Sequence, residues 1–326
     1  MFNCIELACF TVGLSCILGK LPLIIIITII VVALRILKLL INPFIKTKAT
    51  TKRYGEKSYA VITGGANGIG EAMARELANR NFNLVLIDLD QKRLVEVSKS
   101  IQEKNKVAVL TIVYDFGKET TPTSFEKLTQ KFSDLDVSIL INNVGVCNPA
   151  NLFAEIETKR ACLELLVNCY PVVMLSKFMI ERLRQRYQQN KKRSLIMNVA
   201  STCGIMYQPY CANYCGTKVF TKRFSQSLYY ELNDGISGID VVTLAPSSVS
   251  TNLSKLQEGF AVISPQMCAI GALNNITAFE QNGGWQHEIL AFFIRLWLVD
   301  FLPRQIAGSI TLKLGQILRI VQQKAK

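Results

Sequence analysis

Thr63-Gly64-Gly65-Ala66-Asn67-Gly68-Ile69-Gly70 follows directly on the apolar burst 59–62 and runs into the helical pattern Glu71–Asn79. A buried strand that ends in a glycine-rich turn and re-enters as a helix is the opening of a βαβ unit. The glycines permit a tight turn and let the backbone approach a diphosphate. The helix start then adds N–H groups and the positive end of its dipole. Gly64, Asn67, Gly68, Ile69 and Gly70 are therefore candidate dinucleotide-binding residues. Asp88 closes the next apolar burst, 18 residues after Gly70. A carboxylate at that place can accept both ribose hydroxyls of NAD and repels the extra phosphate of NADP.

Working outward, apolar bursts recur at 59–62, 83–87, 107–113, 137–141, 194–199 and 239–244. They are short and rich in Val, Ile and Leu, as parallel strands buried on both faces must be. Amphipathic stretches such as Glu71–Asn79 and Gln91–Lys104 lie between them. The pattern predicts an α/β fold: a doubly wound, Rossmann-type parallel sheet with ligands at the carboxyl ends of its strands. Later in the chain, Tyr214-Cys215-Gly216-Thr217-Lys218 places a phenol and an ammonium four residues apart, on one face of a helix. A free tyrosine, with a pKa near ~10, is a poor base at neutral pH. A neighbouring ammonium and an oxidised nicotinamide would favour the phenolate, and a lowering by two to three pH units asks for roughly 3–4 kcal/mol.

These motifs together resemble the short-chain dehydrogenase/reductase family, over roughly residues 55–290. The TGxxxGIG turn matches its cofactor turn. Asn142-Asn143-Val144-Gly145 resembles the family's NNAG motif, Asp115 its adenine-side Asp, and Pro246-Ser247-Ser248-Val249-Ser250-Thr251 its PxxVxT segment. The resemblance implies cofactor contacts at Asp115, Asn142, Gly145, Pro246, Val249 and Thr251, and at Tyr214 and Lys218. It also implies a catalytic set. Tyr214 exchanges the proton on the substrate oxygen, Ser201 positions that oxygen, Lys218 tunes Tyr214 and binds ribose, and Asn168 holds a water in the proton relay. A serine hydrolase is excluded, because the chain has a single histidine and no GxSxG elbow.

Half of the 326 residues are apolar, enough for one α/β domain with appendages. The net charge of +13 is spread along the chain without aromatic interleaving, which argues against a nucleic-acid partner. The ten cysteines are scattered and form no CxxC pair, so free thiols and no metal site are expected. Residues 1–45 read as a hydrophobic membrane anchor with Lys20 inside it, and 46–57 as a basic linker. The apolar stretch is too long for a cleaved signal peptide and lacks a basic start. The basic cluster after it places the catalytic domain on the cytoplasmic side. Residues 58–284 form the dehydrogenase domain, with a substrate loop at about 250–284, and 285–326 form a C-terminal apolar and basic segment. Within that segment Ile289–Leu302 is too short to span a bilayer, and reads as an interfacial dip, a cap on the pocket, a buried helix at the substrate end or a homodimer contact.

The anchor, the NNVG variant, the NGGWQHEIL stretch and the apolar C-terminal segment are similar to membrane-bound 17β-hydroxysteroid dehydrogenases and very-long-chain 3-oxoacyl-CoA reductases of the endoplasmic reticulum. That implies a lipophilic alcohol or ketone as substrate. Those reductases carry a basic residue after strand two and use NADPH, whereas this chain has Asp88-Leu89-Asp90. NAD(H) and a dehydrogenase direction are therefore expected. An NADP-dependent 3-oxoacyl-CoA reductase and a catalytically silent membrane binding protein are the alternatives.

Overall fold

The computed structural model describes residues 47–324 and, before them, the helical residues 23, 25–27, 29–34 and 36–37. The chain divides into two compact units, Met1–Lys46 and Thr47–Lys326. Most of the expected anchor, including Lys20, lies outside the described residues, as do Lys46 and Lys326.

In the second unit each predicted burst is a strand. Tyr59–Thr63 (β1), Asn83–Asp88 (β2), Val109–Val113 (β3), Val137–Asn142 (β4), Ser194–Val199 (β5) and Ile239–Leu244 (β6) form the sheet with Glu280–Gln281 (β9). Its order is β3-β2-β1-β4-β5-β6-β9, with every neighbouring pair parallel. Ser248–Val249 (β7) and Val262–Ile263 (β8) make a separate two-stranded sheet. The register pairs Thr63 with Ile87, Asp88 with Val113 and Asn142 with Asn198, so these strand ends align along one edge.

The main α-helices of this unit are Gly68–Asn79 (α1), Gln91–Lys104 (α2), Pro122–Gln130 (α3), Thr158–Asn190 (α4), Ala212–Leu232 (α5), Pro265–Leu273 (α6), Trp285–Phe293 (α7) and Arg304–Lys324 (α8). Strand side chains alternate between two cores. Ala60, Ile62, Leu84, Leu86, Ile139 and Ile141 pack with Met73 and Leu77 of α1 and with Ala272 and Leu273 of α6. Val61, Val85, Ile87, Leu140 and Ile196 pack with Phe125 of α3, Leu175 and Leu183 of α4 and Leu228 of α5. Each such Leu, Ile or Phe contributes roughly 1.5–3 kcal/mol by leaving water. Among the described residues α4 is long and apolar enough to cross a membrane. Its buried Val167, Val172, Leu175, Met179 and Leu183 mark it instead as the core helix of this layer.

Residues 47–57, read from the sequence as a linker, are built into the domain. Ala49 N–H donates to the Leu273 carbonyl at 2.8 Å. The fully buried Tyr54 donates its hydroxyl to Asp240 at 2.9 Å, and Arg53 forms a two-pronged pair with the same carboxylate. The C-terminal stretch is likewise integral, with His287, Ala291 and Ala307 buried.

Candidate active site

The turn after β1 is held from three sides. Gly64 N–H donates to the Ile87 carbonyl at 2.8 Å, and Ala66 N–H to Asp88 Oδ2 at 3.0 Å. Asn143 Nδ2 donates to the carbonyls of Thr63 and Gly64 at 2.9 and 3.1 Å. Thr63 Oγ1 in turn accepts the N–H groups of Asn143 and Val144. Gly70 packs so tightly that a Cβ there would lie 2.0 Å from the Gly64 carbonyl oxygen. Gly68 has φ +54°, and a Cβ on it would meet Thr251 at 3.1 Å, so the 246–251 loop comes down over the turn. A cavity of about 550 Å³ opens at this place, lined among others by Asn67, Gly68, Glu71, Arg75, Thr251 and Glu258. Bare backbone, a helix N-terminus and a polar cavity fit the diphosphate of a dinucleotide. Ile69 is half-buried and packs in part against the core.

Asp88 does two things. Its Oδ2 caps Ala66, its Oδ1 accepts the Asp90 N–H at 3.1 Å, and it stands at the end of β2 beside the turn. Asp115 folds the turn after β3 by accepting the Gly117 N–H at 2.9 Å. Asn142 departs from the cofactor role implied for it. As the last residue of β4 it points into the protein, donating to Asn198 at 2.8 Å and Ser176 at 3.2 Å. The side chain that grips the turn is its neighbour Asn143, because successive strand residues face opposite sides. Val249 also points inward, buried in the β7–β8 pair with Ile263.

The second group gathers at the ends of β5 and α5. Lys218 is 5% exposed. It donates from Nζ to the Val199 carbonyl at 2.9 Å and lies 5.5 Å from the centroid of the Tyr214 ring. Ser201 follows β5; its hydroxyl reaches the Pro246 carbonyl at 3.4 Å and accepts the Cys203 N–H at 3.2 Å. Gly145 brings the chain close to both remaining groups: a Cβ there would stand 3.3 Å from Asn168 Oδ1 and 3.5 Å from Lys218 Nζ. Asn168 is engaged at each end of its amide. Oδ1 accepts the Val146 N–H at 2.7 Å, and Nδ2 donates to the Val146 carbonyl and to Thr217 Oγ1. In this arrangement Asn168 is a bracket for the 143–146 loop.

The electrostatics differ from the expectation of a phenol lowered by Lys218. Burial raises Tyr214 well above the ordinary tyrosine value, with the Ser201 hydroxyl acting the other way. Burial also lowers the Lys218 ammonium to about 8. Burial dominates and the neighbouring Cys203 acts in the same direction, so in the protein alone the phenol stays protonated.

Two further residues support these groups. Glu164, 1% exposed, accepts Asn148 N–H at 2.8 Å and Asn213 Nδ2 at 2.7 Å, tying the 143–148 loop to the start of α5. It sits four residues before Asn168, so the pair shares one face of α4, a spacing visible in the sequence. His287, fully buried on α7 and held neutral by burial, accepts the Ser247 N–H on Nδ1 at 3.2 Å. Ser247 adjoins Pro246, whose carbonyl meets Ser201. The seven cysteines among the described residues are free, and no cluster there could hold a metal ion.

Residues 58–259 match the profile of the short chain dehydrogenase family. The very-long-chain 3-oxoacyl-CoA reductase of Pyricularia oryzae is 32% identical over 271 residues, covering 79% of this chain and 78% of that protein. Among solved structures, a short-chain dehydrogenase from Sphingobium yanoikuyae in complex with NADPH has a TM-score of 0.58 at 25% identity, over 66% of this chain and 83% of that one. A 3-ketoacyl-(acyl-carrier-protein) reductase from Brucella melitensis, complexed with NADH, has the same fold (TM-score 0.60, 24% identity, 70% of this chain and 95% of that one).

Proposed function

Because the chain belongs to the short-chain dehydrogenase family, and so is a nicotinamide-dependent oxidoreductase of the alcohol–ketone type, we propose that it is a membrane-anchored enzyme moving hydride between NAD(H) and a lipophilic carbonyl, in the first place a long-chain 3-oxoacyl thioester. The observation that carries the reading is the buried Lys218 ammonium beside the Tyr214 ring, with Ser201 at the end of the adjoining strand. When bound, the dinucleotide supplies or accepts the hydride.

The chain's own residues do the rest. The helix start at Asn67–Gly70 and the Thr251 side of the cavity hold the diphosphate. Tyr214, kept protonated by burial, is set to give its proton to a carbonyl oxygen, which suits reduction at neutral pH. As a donor the Ser201 hydroxyl makes only a long bond, to the Pro246 carbonyl at 3.4 Å, so it exchanges that acceptor for a substrate oxygen at little cost. Lys218 places a cation beside the phenol. Asn168 and Glu164 fix the loop and helix on which these groups stand. Asp88 supports NAD: a phosphate on the ribose would meet a carboxylate already fixed in place by Ala66 and Asp90.

A 3-oxoacyl thioester is supported by the name of the Pyricularia relative and by the length over which the chains match. The helical residues Ile25, Ile26, Ile29, Ile30 and Leu34 are half exposed or more, as a lipid-facing helix would be. The basic residues after it support a cytoplasmic-facing domain at the endoplasmic reticulum membrane.

The test is turnover by the purified full-length protein, followed through the absorbance of reduced nicotinamide, with long-chain 3-oxoacyl-CoA and a keto- and hydroxysteroid panel. NADH should serve better than NADPH, and Asp88→Ala should narrow the difference. Tighter wild-type binding of NADPH than of NADH overturns the cofactor assignment. No turnover with any pair overturns the enzymatic one.

A further inference from the structure

Residues 285–324 carry apolar side chains that the fold leaves uncovered. Trp285, Phe293, Trp297, Val299 and Phe301 are each about half exposed or more. On α8, Ile306, Ile310, Leu314, Ile317 and Ile320 recur every three or four residues and are 40–57% exposed. That spacing is one stripe along the helix. The opposite face is used differently. Ala307 and Thr311 are buried there, and Gly315 approaches the Pro209 carbonyl so closely that a Cβ would lie 2.5 Å away. So α8 has two apolar faces, one spent on the domain and one turned outward.

The charges around this face select its partner. In this segment Arg295 pairs with Glu280 and Arg319 with Glu155, so its charge toward a headgroup comes from Arg304 and Lys313. Arg304 and Lys313 are exposed, and Lys313 falls within the apolar stripe. A lysine there can lay its methylenes on the apolar surface and lift its ammonium to a headgroup. Arginines and a lysine inside a 21-residue helix rule out a transbilayer course. Apolar aromatics with flanking cations are the composition of a helix lying in the plane of an anionic bilayer surface.

We propose that the outer face of 285–324 seats on an anionic phospholipid surface, as a membrane contact additional to any N-terminal anchor. Arg319 pairs with Glu155 at 2.8 Å and lies over the Tyr210 ring, which binds α8 to the loop leading into Tyr214. The seated face therefore brings that approach to the reactive tyrosine against lipid. A bilayer-borne substrate would then reach it without crossing water. The advantage for catalysis rests on the lipophilic-substrate reading, while the seating itself does not.

The chain has two tryptophans, Trp285 and Trp297, and both are among these exposed side chains, so tryptophan fluorescence reports this segment alone. The full-length protein is reconstituted in vesicles of phosphatidylcholine and phosphatidylglycerol, with or without bromine on the acyl chains. Brominated lipid should lower the emission about two-fold or more, and aqueous iodide should quench several-fold less than it does in detergent micelles. The double variant Ile310→Gln, Ile317→Gln should recover much of the emission. Emission unchanged by brominated lipid and fully open to iodide overturns the proposal. So does emission shielded from both quenchers, which would mean that a second protein chain covers the face. An N-terminal anchor would keep the chain on the vesicles in every case, and no turnover is measured, so failure here is separate from failure of the catalytic reading.

Discussion

Burial lowers Lys218 to about 8 and raises Tyr214, so the two neighbours on one turn of α5 are moved in opposite directions. The consequence for pH follows from the sign. The ammonium is present below the lowered value and is lost as pH rises through it. The kcat/KM for reduction, which reports the free enzyme, should be level near neutrality and decline above about pH 8. A profile level to the ordinary lysine range would contradict this. Tyr214→Phe should lower kcat by about 10²–10⁴ while leaving dinucleotide binding, read by fluorescence titration, within a few-fold. At this scale the sequence is most legible where chemistry is local. Tyr214 and Lys218 are four residues apart, and Ser201 and Asn168 stand at recognisable distances from them. Glu164 escapes such reading because its partners, Asn148 and Asn213, lie elsewhere along the chain. The direction of the Tyr214 shift was not legible either, since burial is a property of the packed protein.

The β1–α1 turn and the bracket between α4 and α5 are the elements that place these groups. In the turn, Gly70→Ala puts a methyl 2.0 Å from a backbone oxygen, where no rotamer change relieves it. The variant should lose roughly 2–4 kcal/mol of stability and its dinucleotide binding together, checked by denaturant unfolding and NADH titration. In the bracket, Glu164→Ala leaves Asn148 and Asn213 without their shared acceptor. A cost of about 1–3 kcal/mol is expected, with kcat falling more than KM rises because the start of α5 loosens. Strands β1, β2, β4, β5 and β6 were legible because both faces are buried and the residues run apolar, and the edge strand β3 because it is apolar as well. The two-residue β9 was not, as it is too short to impose a period.

Across the molecule, the segment after residue 46 shows why domain limits are hard to read from composition. Its lysines and arginines suggest a solvated linker, yet Arg53 and Tyr54 close on Asp240, which also holds Arg193. Asp240→Asn should cost about 1.5–3 kcal/mol and expose the 47–57 stretch to limited proteolysis before the rest of the domain opens. A cleavage pattern unchanged from wild type would contradict that. The fold as a whole was legible because the βα alternation is written in every segment from β1 to β6. The covering of the last forty or so residues was not, because an exposed apolar stripe and a buried one have the same spacing. Isotope transfer tests the central claim, hydride exchange at the Tyr214–Lys218 site, most directly. Full-length protein is incubated with a long-chain 3-oxoacyl-CoA and reduced nicotinamide cofactor carrying deuterium at C4, and the product is read by mass spectrometry. One deuterium on the new carbinol carbon, formed by the wild type and nearly lost with Tyr214→Phe, is the expected result. Product without deuterium, or a Tyr214→Phe variant that transfers it as fast, would contradict the account.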